Sequence, residues 1–146
     1  MNNKPVAFRL VLMFSVAGLL FAGYLSGVKL FTSTCAFNET CPYFLGYPAC
    51  WYGFAMYSAM TILAVLVWTG KMNVAKGLNS ILGVSILGII FAGYFSLIEM
   101  PRLLSGGFTA YVLGLPTCVL GLIFYILILI CVLITKKKVT DLTIGN

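Results

Sequence analysis

Histidine is absent from this 146-residue chain, and only three of its residues are acidic. Without histidine, the imidazole chemistry of general bases, haem ligands and most metal sites is excluded. Charged residues make up 8% of the sequence and hydrophobic residues 62%, whereas soluble domains average about 25% and about 45–50%. A soluble chain this short cannot bury so much apolar surface, because small domains have a high ratio of surface to volume. The composition therefore predicts a membrane protein.

The few charged residues divide the sequence into four long apolar stretches. Charges are absent between Arg9 and Lys29, Glu39 and Lys71, Lys76 and Glu99, and Arg102 and Lys136. Each stretch is long enough for one helix, because crossing a hydrocarbon core of about 30 Å takes about 20 apolar residues. The sequence thus predicts one all-α integral membrane domain over residues 1–146, a four-transmembrane-helix bundle. Its expected spans are 9–31, 48–69, 79–100 and 114–135.

The basic residues are distributed unevenly between the two ends of the predicted bundle. Seven of the nine fall on the side of the chain termini, namely Lys4, Arg9, Lys71, Lys76, Lys136, Lys137 and Lys138. By the positive-inside rule, this side faces the cytoplasm, so we expect a multi-pass plasma-membrane protein with both termini cytoplasmic. The net charge of +6 is then a consequence of topology. Membrane lipid is the expected partner, and nucleic acid is not.

Motifs in the first half of the chain recur in the second half. Phe21-Ala22-Gly23-Tyr24 recurs 70 residues later as Phe91-Ala92-Gly93-Tyr94, and the small residues Gly18, Ala22 and Ser26 recur as Gly88, Ala92 and Ser96. Gly46-x-Pro48-x-Cys50-x-x-Gly53-x-x-x-Tyr57 recurs 68 residues later as Gly114-x-Pro116-x-Cys118-x-x-Gly121-x-x-x-Tyr125. These repeats, about residues 10–70 and 80–138, predict a duplicated helical hairpin. Two hairpins that run in the same direction are related by a pseudo-two-fold axis along the membrane normal.

Four of the five cysteines are expected outside the cytoplasm, where disulfides persist. Cys35 and Cys41 lie in the first outer loop, and Cys50 and Cys118 in the first turns of the second and fourth helices. Four cysteines allow three pairings, of which the repeat favours Cys35–Cys41 and Cys50–Cys118. Cys131 lies about 20 Å further along its helix and is expected to be a packing residue. Because histidine and a C-x2-C pair are both lacking, no metal site is expected.

These motifs resemble the vitamin K epoxide reductase family over about residues 16–130. The resemblance rests on Gly18-Leu19 to Tyr24-Leu25, on the loop cysteines Cys35 and Cys41, on Gly46, Pro48 and Gly53, on the segment from Gly88 to Glu99, and on Leu115-Pro116-Thr117-Cys118. Two positions depart from the family pattern. Leu115 stands where the family has the first cysteine of its active pair, and Cys50 is an addition that could replace it as the partner of Cys118.

The resemblance implies a membrane thiol–disulfide oxidoreductase that passes electrons between extracytoplasmic thiols and a membrane quinone. Cys118 would lie nearest the quinone with Cys50 as its partner. Cys35 and Cys41 would exchange electrons with a thioredoxin-like soluble protein on the outer side. A quinone between helices needs an apolar, aromatic pocket, and the candidate lining residues are Tyr57, Tyr125, Phe54, Phe91 and Tyr94.

Two other classes of function remain open from the sequence. The first is a non-enzymatic four-helix membrane protein whose outer cysteines form structural disulfides. The second is a small transporter built from two repeats. The second is disfavoured because transporters coupled to protons use a carboxylate inside the membrane. Glu99, by contrast, is expected at the exposed outer edge, where pairing with Arg102 would contribute little.

Overall fold

The computed structural model describes residues 6–33, 42–106 and 116–144, apart from the side chains at 102, 103 and 142–144. The elements in these residues are α1 Val6–Thr32, β1 Tyr43–Phe44, β2 Tyr47–Pro48, α2 Ala49–Trp68, α3 Val74–Gly106 and α4 Thr117–Ile144. All four helices are long and apolar enough to cross a membrane. The protein is therefore an all-α, multi-pass membrane protein, as predicted.

The helices α3 and α4 continue well beyond the spans predicted for them. α3 starts before residue 79 and ends after residue 100, and α4 starts at Thr117 and ends after residue 135. Apolar stretches report the thickness of the lipid core, whereas helical hydrogen bonding continues into the polar region beyond it. α3 begins directly after Asn73, whose side-chain Oδ1 accepts a hydrogen bond from the Ala75 amide at 2.9 Å. Such a bond satisfies one of the amides that a helix start leaves without a partner.

Each helix packs mainly against two others. α1 contacts α2 and α4, and α3 contacts the same two helices. The two predicted hairpins, α1–α2 and α3–α4, therefore lie side by side, with α2 diagonal to α4. We call the end of the bundle where α2 and α4 begin the cysteine end. The opposite end, which carries Lys71, Lys76 and Lys136, is called the lysine end.

Equivalent residues of the two hairpins are buried in the same way. Val11 in α1 and Ile81 in α3 are both fully buried. One turn later, Ser15 and Ser85 each donate a hydrogen bond to the carbonyl oxygen four residues earlier, at 2.8 Å in both helices. The repeat in the sequence is thus also a repeat of packing, and the duplicated hairpin is confirmed.

Gly18 and Gly88 allow one tyrosine of each hairpin to pack closely against the helix before it. A Cβ atom at Gly18 would overlap the ring of Tyr57, and a Cβ atom at Gly88 would overlap the ring of Tyr125. Small residues of this kind let membrane helices approach closely. Both tyrosines are consequently 2% exposed and belong to the core.

A short β-ribbon, β1 paired with β2, connects to the start of α2 and is not predicted by the sequence. Its turn consists of Leu45 and Gly46, with φ of 50° and 85°. Positive φ at both central residues is typical of the type I′ turn, whose twist suits antiparallel strands. The Ala49 amide donates a hydrogen bond to the Pro42 carbonyl at 2.9 Å. This bond fixes the ribbon to the cysteine end of the bundle.

Candidate functional site

A partly open cavity of about 90 Å³ lies at the cysteine end, between the two hairpins. Most of its lining residues come in repeat-equivalent pairs, one from each hairpin. The pairs are Phe21 with Phe91, Ala22 with Ala92, Leu25 with Phe95, Ala49 with Thr117, Cys50 with Cys118, Gly53 with Gly121, and Tyr57 with Tyr125. Two prolines, Pro42 directly before the ribbon and Pro48 at the end of its second strand, complete the lining. The cavity therefore lies on the pseudo-two-fold axis.

Cys50 and Cys118 line this cavity from the first turns of α2 and α4. Both are half-buried thiols, so the favoured disulfide between them is not formed in the structure. The Cys50 carbonyl oxygen accepts a hydrogen bond from the Ser26 hydroxyl at 3.2 Å, which connects α2 to α1. Cys131 lies buried in α4 and is not part of the cavity lining, which agrees with a packing role. The arrangement brings two thiols to one apolar cavity.

Tyr57 and Tyr125 stack on each other across the axis, beside the cavity. Their ring centroids are 4.4 Å apart and the ring planes are inclined by 12°. The Tyr57 hydroxyl donates a hydrogen bond to the Gly121 carbonyl at 2.8 Å. The stack connects α2 and α4, which are diagonal in the bundle. Sequence reasoning named both tyrosines as pocket residues but did not predict that they touch.

Three of the five predicted aromatic residues line the cavity, namely Tyr57, Tyr125 and Phe91. The prediction was wrong in placing Phe54 and Tyr94 with them, since neither lines the cavity and they are 41% and 59% exposed. The reason is the rotation of about 100° per residue in a helix. Phe54 follows the lining residue Gly53 by one position, and Tyr94 precedes the lining residue Phe95 by one.

Phe21 and Phe95 are cavity residues that the sequence reasoning missed. Phe21 could have been found, because it is the repeat equivalent of Phe91 in the motif shared by the two halves. Phe95 corresponds to Leu25, so the repeat alone does not mark it as aromatic. In the structure Phe95 joins an aromatic group on α3, with its ring centroid 5.0 Å from that of Phe91.

The ribbon contributes Phe44 to the same aromatic group. The Phe44 ring meets Phe91 and Phe95 edge-on, with centroid distances of 5.4 Å and 6.2 Å. It also meets Tyr52 of α2 edge-on at 5.4 Å. Edge-to-face pairs at these distances are favourable arrangements for aromatic rings. The ribbon thus packs an aromatic side chain against two residues of the cavity wall, Phe91 and Phe95.

The sequence predicted that Glu99 lies at the exposed outer edge of the bundle, but in the structure its side chain is buried. It is 6% exposed and lies within the span of α3, one helical turn beyond the cavity residue Phe95. Residues four positions apart share a helix face, so Glu99 faces the cysteine end of the bundle interior. The side chain of its expected partner Arg102 lies outside the described residues. The bundle therefore holds a carboxyl group that sequence reasoning had assigned to its surface.

The loop cysteines Cys35 and Cys41 and the departure from the family pattern at Leu115 lie outside the described residues. The Cys35–Cys41 pairing and the outer-side thioredoxin-like partner stay predictions.

Comparison of the chain with protein-family models, curated proteins and solved structures gives no match. The resemblance to the vitamin K epoxide reductase family consequently rests on the quoted motifs alone.

Proposed function

We propose that the protein is a membrane thiol–disulfide oxidoreductase that passes electrons between extracytoplasmic thiols and a membrane quinone. The main support is that Cys50 and Cys118 line one cavity from equivalent positions in the two hairpins. Two thiols that share a cavity have the chemistry to form a disulfide and to be released from it by exchange. In a chain without histidine, thiols are also the side chains best suited to redox work.

The two cysteines that would react occupy equivalent positions in the first turns of α2 and α4. When the pair is oxidised, the two thiols lose two electrons and two protons and form one disulfide. A bound quinone would accept those electrons and protons and leave as a hydroquinone. Two thiols of the Cys35–Cys41 pair would reduce the disulfide again by exchange, and a thioredoxin-like protein would supply their electrons.

The lining of the cavity fits a quinone ring in chemistry more than in size. It is mostly apolar and aromatic, as ligand pockets usually are. Its volume of about 90 Å³ is smaller than the engineered cavity of about 150 Å³ that holds benzene in another protein. A ring would therefore extend through the open side of the cavity or displace part of the wall, where Phe44 of the ribbon packs behind the lining residue Phe91.

The charge distribution supports an orientation in which the cysteine end faces away from the cytoplasm. Basic residues are concentrated at the lysine end, which the positive-inside rule assigns to the cytoplasmic side. In a plasma membrane, the cavity thiols would then face the compartment in which thiol oxidation occurs.

Quinone reduction by the purified protein tests the proposal. The protein in lipid nanodiscs would receive a dithiol reductant and a short-chain quinone, with quinone absorbance as the measurement. We expect Cys118→Ser and Cys50→Ser to reduce the rate to that of empty nanodiscs, because each leaves one thiol without its redox partner. Cys131→Ser is the matched control and should keep the wild-type rate, since Cys131 is not part of the cavity. An unchanged rate in Cys118→Ser would contradict the oxidoreductase proposal.

Thiol labelling in graded redox buffers separates a catalytic pair from a structural one. Structural disulfides typically have potentials below about −300 mV, and catalytic ones lie higher. We expect Cys50 and Cys118 to become accessible to alkylation well above that potential. If Cys50 and Cys118 form a disulfide that resists reduction down to about −300 mV, the non-enzymatic bundle with structural disulfides is the better description.

A two-repeat transporter is the second candidate, and one observation favours it. The cavity lies on the axis between the repeats, and Glu99 is buried one turn beyond it. Transporters often bind their substrates at such repeat interfaces, and a buried carboxyl can carry a proton. In proteoliposomes with a proton gradient, Glu99→Gln would abolish proton movement if the protein is a transporter. The same substitution would leave quinone reduction intact if it is an oxidoreductase.

A further inference from the structure

At the lysine end of the bundle, the two hairpins carry different side chains at equivalent positions. Trp68 is the last residue of α2, and its repeat equivalent in α4, 68 residues later, is Lys136. The residues directly before them, Val67 and Thr135, are both buried, so the two positions are equivalent in the packing as well as in the sequence. The duplication of the bundle is therefore broken at this point by a charge.

In the first hairpin, this position belongs to an aromatic contact. The Trp68 ring stacks on Phe8 of α1, with the ring centroids 6.2 Å apart and the ring planes inclined by 7°. Trp68 is also partly exposed. A partly exposed tryptophan at the end of a membrane helix is typical of the interface between lipid and water. Trp68 therefore marks the level of the lipid headgroups along the bundle.

In the second hairpin, the same level is occupied by cations. The Lys136 ammonium group donates a hydrogen bond to Asn79 Oδ1 of α3 at 2.7 Å. Because the asparagine side chain is neutral, this bond positions the ammonium group without cancelling its charge. Lys76 is exposed and lies three residues before Asn79, and residues three apart are neighbours on one helix face. Lys76 and Lys136 therefore place two positive charges beside the same asparagine.

The acidic residue at this end is placed beside other lysines. Among the described residues, Asp141 is the only acidic one at the lysine end. It follows Lys137 by four residues and Lys138 by three, the spacings at which side chains meet on a helix surface. It follows Lys136 by five residues, and the rotation of about 100° per residue places it on another face of α4. The charges of Lys76 and Lys136 are thus available to an anion from outside the protein.

We infer that the second hairpin binds the headgroup of an anionic phospholipid at the lysine end, with Lys76 and Lys136 contacting its phosphate. Both lysines lie where the apolar stretches of their helices end. Their ammonium groups can both donate charge-assisted hydrogen bonds to one phosphate, while their aliphatic stems stay on apolar surface. Basic pockets between membrane helices bind anionic headgroups in other proteins. The inference is independent of the proposed thiol chemistry.

Lipid binding to the purified protein in detergent tests this inference. The probes are phosphatidylglycerol, which is anionic, and phosphatidylcholine with the same acyl chains, which has no net charge. Native mass spectrometry gives the dissociation constant of the first bound lipid, and the ratio of the two constants measures the headgroup preference. The test variant carries Lys76→Gln and Lys136→Gln. The matched control carries Arg9→Gln and Lys137→Gln, which remove the same number of charges from the same end of the bundle.

We expect the parent protein to prefer phosphatidylglycerol. Each of Lys76→Gln and Lys136→Gln should lower this preference about fivefold, the ratio that corresponds to about 1 kcal/mol for one basic residue near a lipid surface. The control variant should stay within about twofold of the parent. An unchanged preference in the test variant would overturn the inference. An equal loss in both variants would overturn it as well, because net charge alone would then attract the lipid.

Asn79→Asp gives a second readout that keeps every lysine and its contact between α3 and α4. The new carboxylate would accept the Lys136 hydrogen bond and cancel the charge that the phosphate needs. We expect the preference for phosphatidylglycerol to fall about as far as in Lys136→Gln, and an unchanged preference would contradict the inference. Lys136→Arg keeps the charge and should retain the preference.

Inorganic phosphate separates a lipid site from a site for free anions. It would be added in large excess at constant ionic strength, since salt alone screens exposed charges. We expect phosphatidylglycerol to remain bound, because its acyl chains also contact the apolar faces of α3 and α4. Displacement of the lipid by inorganic phosphate would show that the two lysines bind the anion by itself, and the assignment to a phospholipid would fail.

Discussion

Gly18 and Gly88 are the residues on which the tyrosine packing depends. A Cβ atom at Gly88 would overlap the Tyr125 ring, and the surrounding core leaves that ring little room to move. We predict that Gly88→Ala destabilises the protein by about 1–3 kcal/mol, the usual cost of overpacking. Unfolding in detergent micelles, followed by circular dichroism, measures this change.

Gly93→Ala is the matched control for that substitution on the same helix. No atom lies within 4 Å of the position that a Cβ at Gly93 would take. Alanine should therefore be neutral there, or stabilising by up to about 1 kcal/mol through its better helix propensity. Equal destabilisation by both substitutions would show that Gly88 is important for a reason other than the contact with Tyr125.

At the residue scale, the sequence indicated the types of residue that form the site. It was less successful in predicting which individual side chains face the cavity. Of the aromatic residues named from the sequence as candidate lining residues, Tyr57, Tyr125 and Phe91 line the cavity. Phe54 and Tyr94 were misplaced because a membrane helix is apolar on the lipid side as well as on the core side. Its hydrophobic pattern therefore does not reveal how the helix is rotated about its own axis.

Among the elements, the β-ribbon bears most directly on access to the cavity. Phe44 packs edge-on against Tyr52, Phe91 and Phe95. We predict that Phe44→Ala opens this side of the cavity and makes alkylation of Cys50 and Cys118 by a maleimide several-fold faster. The measurement is the rate of labelling in nanodiscs, read by mass spectrometry.

Leu45→Ala is the control for the ribbon prediction. Leu45 is 81% exposed at the turn of the same ribbon, so its truncation should not change the cavity. Its labelling rate should equal that of the wild type. If both substitutions accelerate labelling equally, the ribbon as a whole has loosened, and the effect does not come from the Phe44 ring.

The ribbon also shows what the sequence could not supply at the scale of elements. The number and order of the helices follow from the spacing of charged residues, because few side chains tolerate the lipid core. Strands of two residues leave no such pattern. Phe44 and Tyr47 are paired through a turn, and nothing in the apolar composition around them distinguishes a ribbon from an irregular loop.

For the whole molecule, the orientation in the membrane is the property that a labelling experiment can decide. In a variant without the outer native cysteines, Leu45→Cys reports on the cysteine end and Lys71→Cys on the lysine end. Both positions are exposed. We predict that a membrane-impermeant maleimide labels Leu45→Cys in intact cells and Lys71→Cys only after permeabilisation. Labelling of Lys71→Cys in intact cells would contradict the proposed orientation.

A bundle in which a pseudo-two-fold axis relates two hairpins of one chain differs from a dimer of two separate, identical hairpins. In a dimer of identical hairpins, the two stacked tyrosines would be one residue in two copies, so a symmetric assembly would treat both hydroxyls alike. One continuous chain removes that restriction and lets the halves diverge, as Leu25 and Phe95 have done. Joining the hairpins covalently is therefore what allows the two walls of the cavity, built from duplicated parts, to carry different side chains at equivalent positions.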